Sequence, residues 1–232
     1  SSHGCLGLRM QNTASVLHRV VGSPVARRDT DRQSPAVSWH DSLPTLTGKL
    51  VTLRELVAAD GSALLPLVTA PEVARFLSPP PQSLERFAGF IESTLRERRA
   101  GRYAAFAIVP HGSNTPVGLV QIRQIEPGFR TAEWGIALGS EWWGRGLFQD
   151  VGELLLTFAF ETLGVHRLEA RVAARNARGN GAVEKLGGVA EGLLRSSLEV
   201  ADGTRLDQVL WSWLADEWRH RRTATEALPW VH

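Results

Sequence analysis

Residues 133–172 narrow most sharply the folds open to this 232-residue chain, because they hold a strand, a glycine turn, a long helix and a second strand in immediate succession. Glu133-Trp-Gly-Ile-Ala-Leu138 reads as the first strand and Trp143-Gly-Arg-Gly146 as the turn. In the helix Val151, Leu154, Leu155 and Phe158 mark one face, Leu156, Phe160 and Leu163 broaden the buried arc, and Gly164 ends it. Arg167-Leu-Glu-Ala-Arg-Val172 then alternates strictly, with Leu168, Ala170 and Val172 on its apolar side. Two strands joined by a helix of about fifteen residues lie parallel, with a right-handed crossover. The helix start presents unpaired N–H groups and a positive dipole end to the turn, which suits an anionic, phosphate-like ligand.

Composition sets the class of molecule and little else. The apolar share of 43% and charged share of 22% are ordinary for a globular protein, and the length suits one domain with extensions. A net charge of +2 makes no case for a nucleic-acid partner, although the pI of 9.2 is mildly basic. Cys5 is the single cysteine, so the chain has no internal disulfide and no cysteine-rich metal site, and a cytoplasmic location is expected. No apolar run reaches the length of a membrane span. Residues 1–44 read as an N-terminal extension or arm. Their first part is rich in Arg and Ser and loosely like a transit peptide, though Met10, the only methionine, also fits an over-long gene start.

A domain is expected over residues 45–218 and a short tail over 219–232. Residues 50–54 alternate as a strand, and Asp60 is placed to cap a helix containing Leu64, Leu65 and Leu67. Pro79-Pro80-Pro81 breaks the chain, Ser83 caps the next helix, and Phe87, Phe90, Ile91 and Leu95 form its apolar stripe up to Gly101. Strands at 103–109, 116–124 and 131–138 follow, the first two as a hairpin. A short helix at 181–186 and strands at 189–198 and 206–214 complete the domain, and the tail has a helical start at best.

This order, with Leu53-Arg-Glu-Leu56, Ala132-Glu-Trp-Gly-Ile136, Trp142-Trp-Gly-Arg-Gly-Leu147, Leu163-Gly-Val-His-Arg-Leu168, Asn176, Val183-Glu-Lys-Leu-Gly187, Glu191-Gly192 and Asp207, resembles the GCN5-related N-acetyltransferase (GNAT) family. Within it the chain is most similar to the branch of the ribosomal-protein alanine N-acetyltransferases. The resemblance covers roughly three-quarters of the chain. It implies an α/β fold: a mixed, mostly antiparallel six- to seven-stranded sheet with one splayed parallel pair and helices on both faces. It implies acetyl-CoA as cosubstrate without a metal, and direct transfer to a primary amine, a protein N-terminus or a small molecule, in a ternary complex. A homodimer is compatible with it.

The same resemblance assigns residues. Trp143, Gly144, Arg145, Gly146, Leu147 and Phe148 fall at the pyrophosphate seat, and Ile136, Ala137 and Leu138 on the pantetheine track, with an oxyanion-stabilising N–H among them. Asn176 matches an asparagine that bonds the pantetheine or the incoming group, and a turn-forming Asn ahead of a helix is its bland counterpart. Glu133 matches a position that often serves as base, and a solvated or arginine-paired strand glutamate is its bland counterpart. Glu191 is a second carboxylate to consider, whereas His166 suits a structural role. Phe148, Gly179 and Val183 depart from the family pattern; the last stands where many relatives carry a tyrosine acid, and the sole tyrosine here is Tyr103. These departures leave open a second function, a CoA-binding regulatory or interaction module with little turnover.

Overall fold

The computed structural model describes residues 38–226, so Cys5, Met10, most of the expected arm and the last residues of the expected tail lie outside them. In chain order the described residues form β1 (Leu46–Thr47), β2 (Val51–Glu55), α1 (Gly61–Thr69), α2 (Pro71–Ala74), α3 (Leu84–Arg99), β3 (Tyr103–Pro110), β4 (Gly118–Gln124), β5 (Thr131–Leu138), α4 (Leu147–Thr157), β6 (Arg167–Ala173), α5 (Ala177–Lys185), β7 (Val189–Glu199), β8 (Arg205–Leu214) and α6 (Ala215–Glu226). The strands make one sheet in the order β1-β2-β3-β4-β5-β6-β8-β7, and every neighbouring pair is antiparallel except β5 with β6.

The sheet therefore has eight strands where six to seven were expected. The extra strand, β1, pairs two residues with β2 and is too short to show alternation in sequence. Three helices also differ from expectation. Asp60 does not cap α1; its carboxylate turns back to Arg54 and to the Val57 N–H, at 2.8 and 2.9 Å. α5 begins at Ala177, four residues before the expected start, because Gly179 and Gly181 weaken the helical signal there. α6 continues to Glu226 because Trp218, 5% exposed, lies 5.2 Å from the Phe160 ring and docks the helix.

Strand parity sorts β5 between two cores. Ala132, Trp134, Ile136 and Leu138 enter the larger core beneath α4, with Val151, Leu155 and Phe106. Ala137 enters the smaller core on the opposite face, with Leu64, Phe87 and Ile91 from α1 and α3. Each fully buried Val, Leu, Ile or Phe side chain among them contributes about 1.5–3 kcal/mol. The Ser83 hydroxyl accepts from Arg86 N and caps α3 as expected. A π-helical turn at Phe158–Thr162 extends α4, and its wider winding lets Phe158, Ala159 and Phe160 all face the core.

α4 is tied to the far edge of the domain by one carboxylate. Asp150, in its first turn, accepts the backbone N–H groups of Lys49, Leu50 and Val51 at 2.9, 2.8 and 3.0 Å. A Cβ on Gly48 would lie 2.4 Å from Asp150 Oδ2, so the chain at this corner is closed down on the carboxylate.

The α1/α3 face becomes polar from β4 onward. Arg123 bonds Glu133 at 2.8 Å, Arg171 reaches Glu133 at 3.5 Å and Glu169 at 3.9 Å, and Arg167 joins Glu169 at 2.8 Å to Glu191 at 2.5 Å. Ser212 donates to Glu191 at 2.6 Å and ends the row. Arg167 and Ser212 together hold the Glu191 carboxyl down at about 2.

Two tests follow from these contacts. Asp150→Ala should lower unfolding free energy by about 2 kcal/mol, because three donors lose a charged acceptor, and Asp150→Asn by less; urea titration reads both. A depressed carboxyl stabilises the fold above its unfolded pKa, about 4.3, and ceases to do so as pH falls toward 2. The Tm difference between wild type and Glu191→Gln should thus be widest above about pH 5 and close by about pH 2.

Candidate active site

The parallel pair separates early. β5 and β6 are in register only at Thr131–Arg167, Ala132–Leu168 and Glu133–Glu169. Arg130 O accepts from Arg167 N on the β6 side, and Gly139 N donates to Val117 O on the β4 side. Alternation along the strand therefore aims the backbone N–H and C=O of residues 132, 134, 136 and 138 toward β6. Beyond Glu133 no β6 residue is in register to meet them, and Ile136 presents its N–H and C=O to an open edge. At the end of that edge Leu138 O accepts from Trp143 Nε1 at 2.9 Å.

A cleft of 540 Å³ opens there, between the end of β5, the glycine turn and α5. Ile136, Leu138, Trp143, Gly144, Gly146 and Phe148 line it, and none of its lining side chains is acidic. Gly144 has φ +75°, and a Cβ at that position would meet no atom within 4 Å, so its backbone stands open at the cleft. Gly146, at φ +84°, is the residue from which α4 starts. The first intrahelical bond is Gln149 N to Gly146 O, so the N–H groups of Leu147 and Phe148 precede it. The Phe148 ring, the bulky departure, rests on Trp134 at 6.0 Å and so packs against the core.

The other expected residues are placed differently. The Leu147 side chain is buried in the larger core, and Ala137 pairs with β4 at Leu119, with its side chain in the smaller core. Arg145 lies over the Trp142 ring at 5.2 Å. Asn176 is 1% exposed, and its Oδ1 accepts from Gly179 N at 2.8 Å, the cap of α5. A Cβ on Gly179 would lie 2.5 Å from the Asn176 amide nitrogen, which accounts for glycine at that place. Glu133 is 3% exposed and is held by Arg123 and Arg171, the arginine-paired arrangement. Glu191 is taken up by Arg167, and the His166 side chain is exposed at the opposite end of β6. Tyr103 donates to Gln121 on the α1/α3 face, and burial pushes its hydroxyl well above the ordinary tyrosine value.

Sequence reasoning missed the second bank of the cleft. It is formed by α5, where Arg178, Gly181, Ala182 and Lys185 line the opening. The spacing of 178, 181, 182 and 185 is a helical face of cation, two small residues and cation, a signal hidden by the late expected start of α5. Gln149 Nε2 donates to Ala182 O at 2.8 Å and joins the banks at the base.

Comparison with known proteins agrees with this architecture. A family model described as an acetyltransferase (GNAT) domain matches residues 51–189. The uncharacterized N-acetyltransferase p20 of Bacillus licheniformis is 26% identical over 177 residues, 76% of this chain and 99% of that protein. YdaF of Bacillus subtilis (strain 168), named a ribosomal N-acetyltransferase, is 31% identical over 101 residues, 44% of this chain and 55% of its own length. Mycobacterium smegmatis RimJ, solved in complex with CoA-disulfide, shares the fold at a TM-score of 0.69 and 23% identity, covering 81% of this chain and 97% of that one. The family model spans more than half of the chain, from β2 to the start of β7, and this protein belongs to the GNAT family of N-acetyltransferases.

Proposed function

We propose that the cleft binds acetyl-CoA and that the enzyme passes the acetyl group directly to a primary amine within a ternary complex. The observation that carries this reading is the release of β5 from β6 beyond Glu133, because an extended amide-bearing arm can pair with the open edge as a surrogate strand. Gly144, Arg145, Gly146 and the N–H groups of Leu147 and Phe148 form the seat for the phosphates. With its anionic end at the turn, the pantetheine arm runs back along β5 to Ile136.

The chemistry then centres on the Ile136 N–H, which donates to the thioester carbonyl oxygen. The amine nitrogen attacks the carbonyl carbon, the C–N bond forms, and the π pair moves to oxygen as an oxyanion. An N–H at that point is worth about 10²–10³ in rate where it is the principal donor. As the intermediate collapses the C–S bond breaks, the thiolate departs and takes a proton, and the nitrogen loses one. Val183 is buried and supplies no acid, so the thiolate, a good leaving group, is protonated by solvent.

Glu133 and Asn176 serve this reaction indirectly in the same reading. Glu133 fixes Arg123 and Arg171 beneath the acceptor side, and Asn176 fixes the start of α5. The acceptor is a protein N-terminus or a small-molecule amine; the name borne by YdaF supports the former.

Mixing the protein with acetyl-CoA and a panel of peptides and small amines should release free thiol in step with an acetylated product. Tight CoA binding with no thiol released by any amine would instead favour a binding module without turnover. Glu133→Gln separates the two roles of the carboxylate. A positioning role predicts a loss of about tenfold or less in kcat, with the acidic limb of the pH–rate profile kept. Loss of about 10²–10⁴ together with that limb would make Glu133 the base.

A further inference from the structure

We infer that Arg178 reads a phosphate of the bound thioester, held in position for that task by Trp143. This rests on the acetyl-CoA reading and adds to it a residue from the opposite bank of the cleft. Arg178 is the second residue of α5, and its guanidinium lies 5.6 Å from the centroid of the Trp143 ring, which belongs to the glycine-turn side. Both residues line the cleft, so their contact spans its mouth.

Trp143 is a firm support. Its indole N–H is fixed on Leu138 O, and its ring packs against both hydrophobic cores. A guanidinium over an indole ring is held by cation–π attraction, which occupies none of its five N–H donors. Among the described residues no carboxylate pairs with Arg178. The cation is thus ordered by an aromatic face, and its hydrogen-bonding edge is left for an anion.

The surroundings point the same way. Ala177, Gly179, Gly181 and Ala182 leave Arg178, at the start of α5, and Lys185, at its end, as the long side chains of this cleft wall, and of the two only Arg178 lies over Trp143. Gly179 cannot carry a side chain, because the Asn176 amide fills the space, so polar recognition at this end of α5 falls to its neighbour. Arg145 lies over Trp142, a neighbour in its own turn. Arg178 reaches across, so a phosphate bound to it also ties α5 to the glycine turn. The ligand it selects is a thioester bearing phosphate groups, in preference to the same thioester on a bare pantetheine arm.

The test compares acetyl-CoA with acetyl-pantetheine, which has the same thioester and arm without the nucleotide and phosphates, and adds calorimetry of CoA binding. Arg178→Ala should raise KM for acetyl-CoA and Kd for CoA by about 10- to 100-fold and leave kcat within about twofold. Its kinetics with acetyl-pantetheine should be unchanged. Arg178→Lys should recover part of the loss. Equal losses on both thioesters would show a distorted α5, and no loss on either would show an idle arginine; each overturns the inference. If wild-type protein binds no CoA, the acetyl-CoA reading falls as well. If it binds and transfers normally while Arg178→Ala matches it, only the role of Arg178 falls.

Discussion

A strand hydrogen-bonded on both edges for three residues, and on one edge thereafter, is the constraint on which this molecule turns. β5 must remain in the sheet, because Trp134 and Ile136 are buried under α4 and Ala137 under α1 and α3. It therefore keeps its full ladder with β4, while β6 diverges after Glu133–Glu169. An open strand edge inside a protein exposes donors and acceptors that need partners. The cleft and the open Ile136 edge are the direct result, and the Trp143 indole has already taken the carbonyl at its far end.

Everything around the opening serves to hold its two banks at a fixed separation. Asp150 fastens the start of α4 to β2, Gln149 fastens α4 to α5, and Asn180 fastens α5 to the end of β6 through Ala173 O. These are side-chain-to-backbone bonds, each spending one polar group to fix the start or path of an element. On the other face the row of alternating arginines and glutamates crosses β4, β5, β6 and β7 with each charge beside its opposite. Glu133 is buried only because two guanidiniums meet it, since an isolated carboxylate could not be.

Much of this was legible in the residues themselves. The 3.6 period of α4 and the strict alternation of 167–172 required a parallel crossover, and glycines 144 and 146 marked the turn. Each strand expected from alternation appears within two residues of its expected bounds. What escaped was weakly encoded. β1 is too short for periodicity, two glycines masked the first turn of α5, and α6 is held by Trp218 docked on Phe160 together with Arg221 on Gly187 O and Arg222 on Glu161. Asp60 and Asn176 show the same limit, because a cap-forming residue does not announce which backbone or side-chain group it will meet.

The sequence by itself determined the family, the order of the elements, the position of the phosphate-suited turn and the side of β5 on which each residue falls. Those are local properties: period, turn chemistry and parity are written within a few neighbouring residues. The tertiary structure alone decided where β6 leaves β5, that Arg123 and Arg171 converge on Glu133, and that Arg178 crosses the cleft to Trp143. These join residues far apart in the chain, and their partners are set by how the twisted sheet and its helices pack.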